Sequence, residues 1–401
     1  MSKPKLWTKD FLIVSLSNFF LYFTFYLLIA TITVYATDKF HASPSIAGLA
    51  SGIFVIGTLI ARLFSGKYIE QVGRKKLLYI GLVFILVTTL LYFVVNNMAF
   101  LLIIRFINGA ALGIASTATG TIVSSIIPNE RRGEGTGYYA LSTTLAAAFG
   151  PFLGMFINAH IGFNMNFAVC SILLALSLVA AFFLKVPKVE ISKEQLEKMK
   201  GFKLSNFFEG KALPISFMAI LVGLGYSSVL AFLTSFAQQI NLVDTASFFF
   251  IIYAIAILVS RPFTGRWFDT KGENIVMYPS FLALAIGLFV LSQASHGYFI
   301  IISGIFVGLG YGTFISSAQA IAIKVSPRHR MGLATSTYYM FMDAGIGIGP
   351  FILGMLVPAV GYRGVYEYMG ILSIVCIFLY YFLHGRKTSK EKRNFTEAPA
   401  K

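Results

Sequence analysis

Charge is what this chain has least of. Only 12% of its 401 residues are charged, about half of the roughly 25% usual in soluble domains. Acidic side chains are scarcest: 16 Asp and Glu face 32 Lys and Arg, for a formal net charge of +16. Cysteine is nearly missing as well. Cys170 and Cys376 are the only two, and both lie inside apolar runs, which excludes a disulfide framework and a cysteine-based metal site. The five histidines (His41, His160, His296, His329 and His384) fall at the ends of apolar runs or in loops. They show no ligand spacing, so no metal site is expected. An enzyme would need clustered carboxylates, histidines or a nucleophile near one another, and none is visible. A receptor would need a sizeable soluble domain, and no polar stretch is long enough to supply one.

What is abundant is apolar. Hydrophobic residues make up 57% of the chain, and the mean hydropathy is +0.78. A nucleic-acid binder needs a water-exposed basic face, and this composition leaves little room for one. The chain reads as an all-α polytopic membrane protein. A membrane-spanning helix needs about 20 mostly apolar residues. Twelve such runs are present, at 10–36, 44–64, 77–95, 98–126, 135–157, 164–184, 212–239, 245–264, 274–294, 298–325, 332–357 and 364–384. The long central connection, 185–211, is Lys-rich and partly amphipathic. It divides a six-helix bundle at 1–184 from a second at 212–401 that ends in a polar tail. The first run is too long for a signal peptide and lacks a small-residue cleavage site.

The basic residues set the orientation. Lys and Arg collect in alternate loops: before run 1, after runs 2, 4, 8 and 10, in the central linker and in the tail. Counting Arg62 and Arg261 at the helix ends of the same side, these hold 29 of the 32. By the positive-inside rule both termini are cytoplasmic. The opposite loops have only Lys39 and Arg363, and Arg105 alone is left inside a run.

The two halves repeat. ARLFSGKYIEQVGRK (61–75) matches SRPFTGRWFDTKGEN (260–274) at an offset of 199 residues, carrying Arg62 to Arg261, Gly66 to Gly265, Glu70 to Asp269 and Gly73 to Gly272. The same offset carries Gly109 to Gly308, Gly113 to Gly312, Pro128 to Pro327, Gly150-Pro151 to Gly349-Pro350 and Gly162 to Gly361. Parallel repeats of this kind place a substrate site between halves, near the midplane.

With twelve runs, a 6+6 repeat and the GKYIEQVGRKK segment, the chain resembles the major facilitator superfamily over nearly its whole length. RFINGAALG in run 4 is similar to that family's R-x-x-x-G motif. GPFLG (Gly150, Pro151, Gly154) is similar to the G-P-x-x-G motif of its proton-coupled efflux branches. Run 1 departs from those branches, since LLIATITVY (27–35) lacks the prolines many of them carry. The resemblance implies a secondary transporter working by alternating access. It implies that the loop after run 2, with Gly66, Glu70, Gly73 and Arg74, and its repeat, with Gly265, Asp269 and Gly272, latch the cytoplasmic side. Helices 1, 4, 7 and 10 are implied to line the cavity. That points to Asn18, Tyr22 and Tyr26, one stripe at i, i+4, i+8, to Asn108, Tyr226, Tyr311 and Gln319, and to an amphipathic or cationic substrate received by stacking and cation–π contacts.

Two charges break the topology pattern. Arg105 lies about 10 Å deep in run 4. It needs a partner there, because burying it costs at least about 2.5–3.5 kcal/mol. Asp343 is the one acidic residue deep in a run, and Thr144 stands at its place in the first half. Desolvation favours its protonated form, which suits a proton carrier. No spacing rule links the two. The expected protein is therefore a proton-coupled exporter of small organic molecules. A proton symporter importing a sugar or organic acid, and an exporter of a metal-chelating metabolite, are the alternatives. It needs no cofactor beyond the proton gradient. Its partners are a small-molecule substrate, protons and the bilayer, not nucleic acid, and a monomer is expected. Ile, Phe and Lys richness fits the cytoplasmic membrane of a bacterium.

Overall fold

The structure, a computed structural model, describes residues 4–42, 44–187 and 203–386. The central linker therefore lies partly outside the described residues, and the tail beyond Arg386 entirely so. Every regular element among the described residues is helical. That follows from the solvent: in hydrocarbon each backbone N–H and C=O must be satisfied within its own segment, which a helix does.

The first half contains α1 (Lys9–Phe40), α2 (Pro44–Val72), α3 (Arg74–Leu90), α4 (Met98–Ile126), α5 (Arg132–His160) and α6 (Phe163–Phe182). The second contains α7 (Leu213–Gln239), α8 (Phe249–Lys271), α9 (Asn274–Ser292) and α10 (Gly297–Lys324). The last run, Met331–Tyr380, is helical throughout except at Gly361, where φ 67° and ψ 175° break it. Its two arms are α11 (331–360) and α12 (362–380). Among the described residues eleven helices are long and apolar enough to cross a bilayer, the last counted as Ile352–Gly385 across the Gly361 break. The runs expected at 332–357 and 364–384 are the two arms. Polar side chains cap two of the starts: Thr8 Oγ1 accepts from Phe11 N at 3.2 Å and Asn97 Oδ1 from Phe100 N at 2.8 Å, each satisfying an orphan donor of a first turn.

One expectation needs correction. GKYIEQV and GRWFDTK are not loops after their helices but the last turns of α2 and α8. Only Gly73 and Gly272 leave the helix, at φ 96° and 93°. Gly66 and Gly265 sit within helices and make no turn.

The repeat is built into the backbone. All four glycines with positive φ among the described residues form pairs at the 199-residue offset, Gly73 with Gly272 and Gly162 with Gly361. The three-residue turns after Pro128 and Pro327, Asn129–Arg131 and Arg328–Arg330, are a third pair. Helix packing repeats too. A Cβ on Gly109 would stand 2.0 Å from the Phe54 carbonyl oxygen, and one on Gly113 2.6 Å from that of Thr58. In the second half a Cβ on Gly308 would stand 2.6 Å from the Tyr253 carbonyl oxygen, and one on Gly312 would run into the side chain of Ile257. Small residues let α4 lie directly on α2, and α10 on α8, where lipid offers no hydrophobic drive for association. The halves part at Gly308–Gly312, a π-helical turn in α10, where α4 stays regular.

The chain divides into two compact units. The first is Met1–Gly210 with Ile323–Met340, and the second is Lys211–Ala322 with Phe341–Lys401. The opening turns of α11 thus belong with the first six helices. Large apolar side chains such as Phe152, Phe182 and Phe382 stay exposed, as expected of surfaces solvated by acyl chains.

Candidate functional site

In the first unit, helical spacing places Asn18, Tyr22 and Tyr26 along α1. Each meets something different. The Asn18 amide donates to Ser142 Oγ at 2.8 Å and Thr143 Oγ1 at 3.0 Å on α5. Its carbonyl accepts from Tyr139 Oη at 2.8 Å and Thr119 Oγ1 at 3.0 Å, and Tyr139 also donates to Thr119 at 3.0 Å. Asn18 therefore joins α1, α4 and α5 through a buried network instead of presenting a free amide. Asn18 is 1% exposed, and an unpaired amide so buried is costly.

Tyr22 accepts a hydrogen bond from Arg62 Nη2 at 3.2 Å. Arg62 is 1% exposed, and its guanidinium lies 4.8 Å from the ring centre of Tyr339 on α11. Tyr339 passes close to Gly120 of α4, where a Cβ would stand 2.9 Å from its ring and hydroxyl, and its side chain meets Tyr139. Tyr22, Arg62, Thr119, Tyr139 and Tyr339 thus form one buried aromatic and cationic cluster drawn from five helices. Tyr26 is half-buried beside Phe25 and Tyr22, with ring centres 4.9 and 6.4 Å away.

Arg62 and Arg261, expected at helix ends, are buried, as are Lys67 and Arg74; Arg105 is not the only buried basic residue. Their place at matching steps of the repeat was the signal that set Arg62 and Arg261 apart. Tyr139 and Tyr339 carried no spacing signal.

Arg105 is fully buried. Nε donates to the Ala50 carbonyl at 2.8 Å and Nη1 to Tyr92 Oη at 3.4 Å. The guanidinium lies 4.4 Å from the Phe54 ring centre. Nη2 has no hydrogen-bond partner among the described residues. Asn108, one turn on, faces α3 instead: its amide donates to Thr88 Oγ1 at 2.8 Å, Thr89 Oγ1 at 3.2 Å and the Ile85 carbonyl at 3.4 Å. Those bonds hold α4 against α3.

The motif at the end of α2 holds a close ion pair. Arg74 Nη2 lies 2.6 Å from Glu70 Oε1, with both side chains 3% exposed. Arg74 also donates to the Arg328 carbonyl at 3.5 Å. Bare glycines then admit α11: a Cβ on Gly66 would stand 2.2 Å from Ser336 Cβ, and one on Gly332 2.1 Å from Ile69 Cγ2 and 3.4 Å from Glu70 Oε1. Ser336 Oγ donates to the Arg62 carbonyl. Below them Arg330 pairs with Glu209, and Phe207 packs under Lys67 Nζ, 4.4 Å from its ring centre. Gly150 and Gly154 have a packing role as well. A Cβ on Gly150 would stand 2.8 Å from Tyr26 Cβ and one on Gly154 2.8 Å from the Leu27 carbonyl oxygen, with Pro151 inside the helix between them.

The second unit brings together two expected cavity residues and one that was not. The Tyr226 and Tyr311 rings stack at 3.8 Å and 8°, and the Tyr253 ring also stacks with Tyr226, at 5.7 Å and 24°. Tyr311 is set by the π-helical turn, a feature frequent at functional sites. Gln319 is buried in α10. Arg261 donates to the Gly312 carbonyl at 2.9 Å and to Ser316 Oγ. Asp269, the counterpart of Glu70, is half-buried near the end of α8. Asp343 is half-buried in α11, one turn beyond Tyr339 and on its face of the helix. No group of three or more His, Cys, Asp and Glu among the described residues could hold a metal.

The family model described as Major Facilitator Superfamily matches residues 14–243 and 215–401. The chain is 25% identical over 339 residues to an uncharacterized MFS-type transporter, MJ1560, of Methanocaldococcus jannaschii, covering 82% of this chain and 86% of that one. It is 23% identical over 359 residues to the staphylopine export protein of Staphylococcus aureus (84% and 87%). It is 26% identical over 363 residues to multidrug resistance protein 1 of Bacillus subtilis (86% and 89%). The solved proton:xylose symporter XylE superposes with a TM-score of 0.70 at 16% identity, over 93% of this chain and 94% of that one. With both halves matched and helices throughout, the chain belongs to the major facilitator superfamily and is a multi-pass membrane transporter, not an enzyme.

Proposed function

We propose that the protein is a proton-coupled exporter of small organic molecules, a monomer in the cytoplasmic membrane of a bacterium with both termini inside. Asp343 carries the reading. It continues the face of α11 on which Gly332, Ser336 and Tyr339 pack against α2 and its neighbours. A carboxyl at that place can couple its protonation to whether α11 stays docked. A proton entering from outside neutralises it, and the resulting change of conformation releases substrate. The membrane potential adds about 2.3 kcal/mol per charge per 100 mV. Aromatic and hydroxyl-rich surroundings suit an amphipathic or cationic substrate, and Arg105, with its remaining Nη2 donor, supports the coupling machinery. The named export proteins among the relatives support the outward direction. The staphylopine relative also favours a second reading, export of one metal-chelating metabolite.

Everted vesicles energised to an acid interior test direction and coupling together. A library of lipophilic cations and small metabolites is added outside. A transported compound accumulates inside and partly collapses the pH gradient, and no such effect occurs in vesicles lacking the protein. Accumulation only in right-side-out vesicles under an inward proton gradient would establish import by symport instead.

A further inference from the structure

The repeat shows one arginine position in two arrangements. Arg261 turns back onto its own half, to the Gly312 carbonyl and Ser316 Oγ of α10. Arg62, its equivalent, instead donates to Tyr22 and stacks on Tyr339. The residues matching Gly312 and Ser316 at the 199-residue offset are Gly113 and Thr117. Thr117 is fully buried, and its hydroxyl has no hydrogen-bond partner among the described residues. A buried hydroxyl left without a partner is costly and calls for a reason.

Helix register supplies the reach. Gly113 packs on Thr58 as Gly312 packs on Ile257. Arg62 lies one turn beyond Thr58, and Thr117 one turn beyond Gly113; Arg261 and Ser316 stand in the same relation to Ile257 and Gly312. Although α10 takes a π-helical turn just before this point and α4 does not, the shared contacts give Arg62 and Thr117 the same register as Arg261 and Ser316.

We propose that Arg62 is a two-position positioning residue of the transport cycle: it holds Tyr339 and Tyr22 while the opening turns of α11 lie on α2, and moves to the Thr117 hydroxyl and Gly113 carbonyl when they leave. This rests on the alternating-access part of the proposed function and not on proton coupling or direction. The movement keeps a buried cation hydrogen-bonded in both arrangements. Without it, undocking α11 would strip the guanidinium of its ring partner inside a low-dielectric core. The Thr117 hydroxyl thus stabilises the undocked state alone, and only through Arg62.

The test reads α11 undocking without transport. Cys170 and Cys376, both buried, are replaced by Ala, and Thr335→Cys supplies one reporter thiol. Thr335 is fully buried and packs where α11 meets Gly120, so a maleimide reaches it only when α11 leaves. In the purified full chain, Thr117→Val slows labelling about tenfold, as loss of a hydrogen bond to a charged group from one state requires. Thr117→Ser labels at the parent rate. In an Arg62→Ala background Thr117→Val has no further effect. Tyr339→Leu, which weakens the docked state, speeds labelling. Thr117→Ala replaces the Val variant if that is not recovered as a monodisperse peak. Equal slowing with and without Arg62, or no slowing in either background, overturns the proposal while leaving the transporter reading intact.

Discussion

At the scale of single residues, Arg105 and Asn18 show how much a buried polar side chain depends on what surrounds it. Arg105→Ala leaves the Ala50 carbonyl without this donor and removes a cation packed on Phe54. The expected loss is about 1–3 kcal/mol, seen as a lower melting temperature in detergent. Uphill transport per folded molecule should also disappear; unchanged transport after normalising to folded protein would make Arg105 a structural hub only. The sequence showed that Arg105 needs partners and that Asn18, Tyr22 and Tyr26 share a stripe. It could not show that Asn18 binds α4 and α5, or that Asn108 turns to α3, because several helices compete for each face and spacing within one helix does not rank them. Arg62 was misjudged for a related reason: closeness to a basic loop said nothing of the Tyr339 ring that covers it.

At the scale of elements, apolar length fixed the helices well. Run 4, read as 98–126, is Met98–Ile126. The ends of α2 and α8 were read short because their last turns carry charged and polar residues that interrupt the apolar run. Glycines legible as repeat markers proved to be contact points. Gly109→Ala places a methyl against the Phe54 carbonyl, 2.0 Å away, whereas Gly52 has nothing within 4 Å of the same atom. Gly109→Ala should therefore fail to give a monodisperse peak in size-exclusion chromatography, and Gly52→Ala should match the parent in yield and melting temperature. Similar behaviour of the two would contradict helix contact as the reason for Gly109.

At the scale of the whole molecule, the +16 charge divides in the sequence between alternate loops and a few basic residues that the structure buries, Arg62, Lys67, Arg74, Arg105 and Arg261. The repeat was legible because turn glycines tolerate no substitute at positive φ, so the offset survives where packing residues have diverged. The exchange of Ile323–Met340 into the first unit was not legible, since it depends on which surfaces meet and not on the order of helices. Asp343 has Thr144 at its place in the first half and so stands outside the shared scaffold. That asymmetry is why the proposed function assigns proton coupling to Asp343. The most direct measurement reconstitutes the parent and Asp343→Asn in proteoliposomes with one transported compound. It compares uphill movement under a pH gradient with exchange at equal pH. Asp343→Asn should lose accumulation against the gradient and keep exchange within about twofold, because a neutral amide mimics the protonated carboxyl but cannot release a proton. Accumulation by Asp343→Asn at the parent rate would contradict the role of Asp343 as proton carrier.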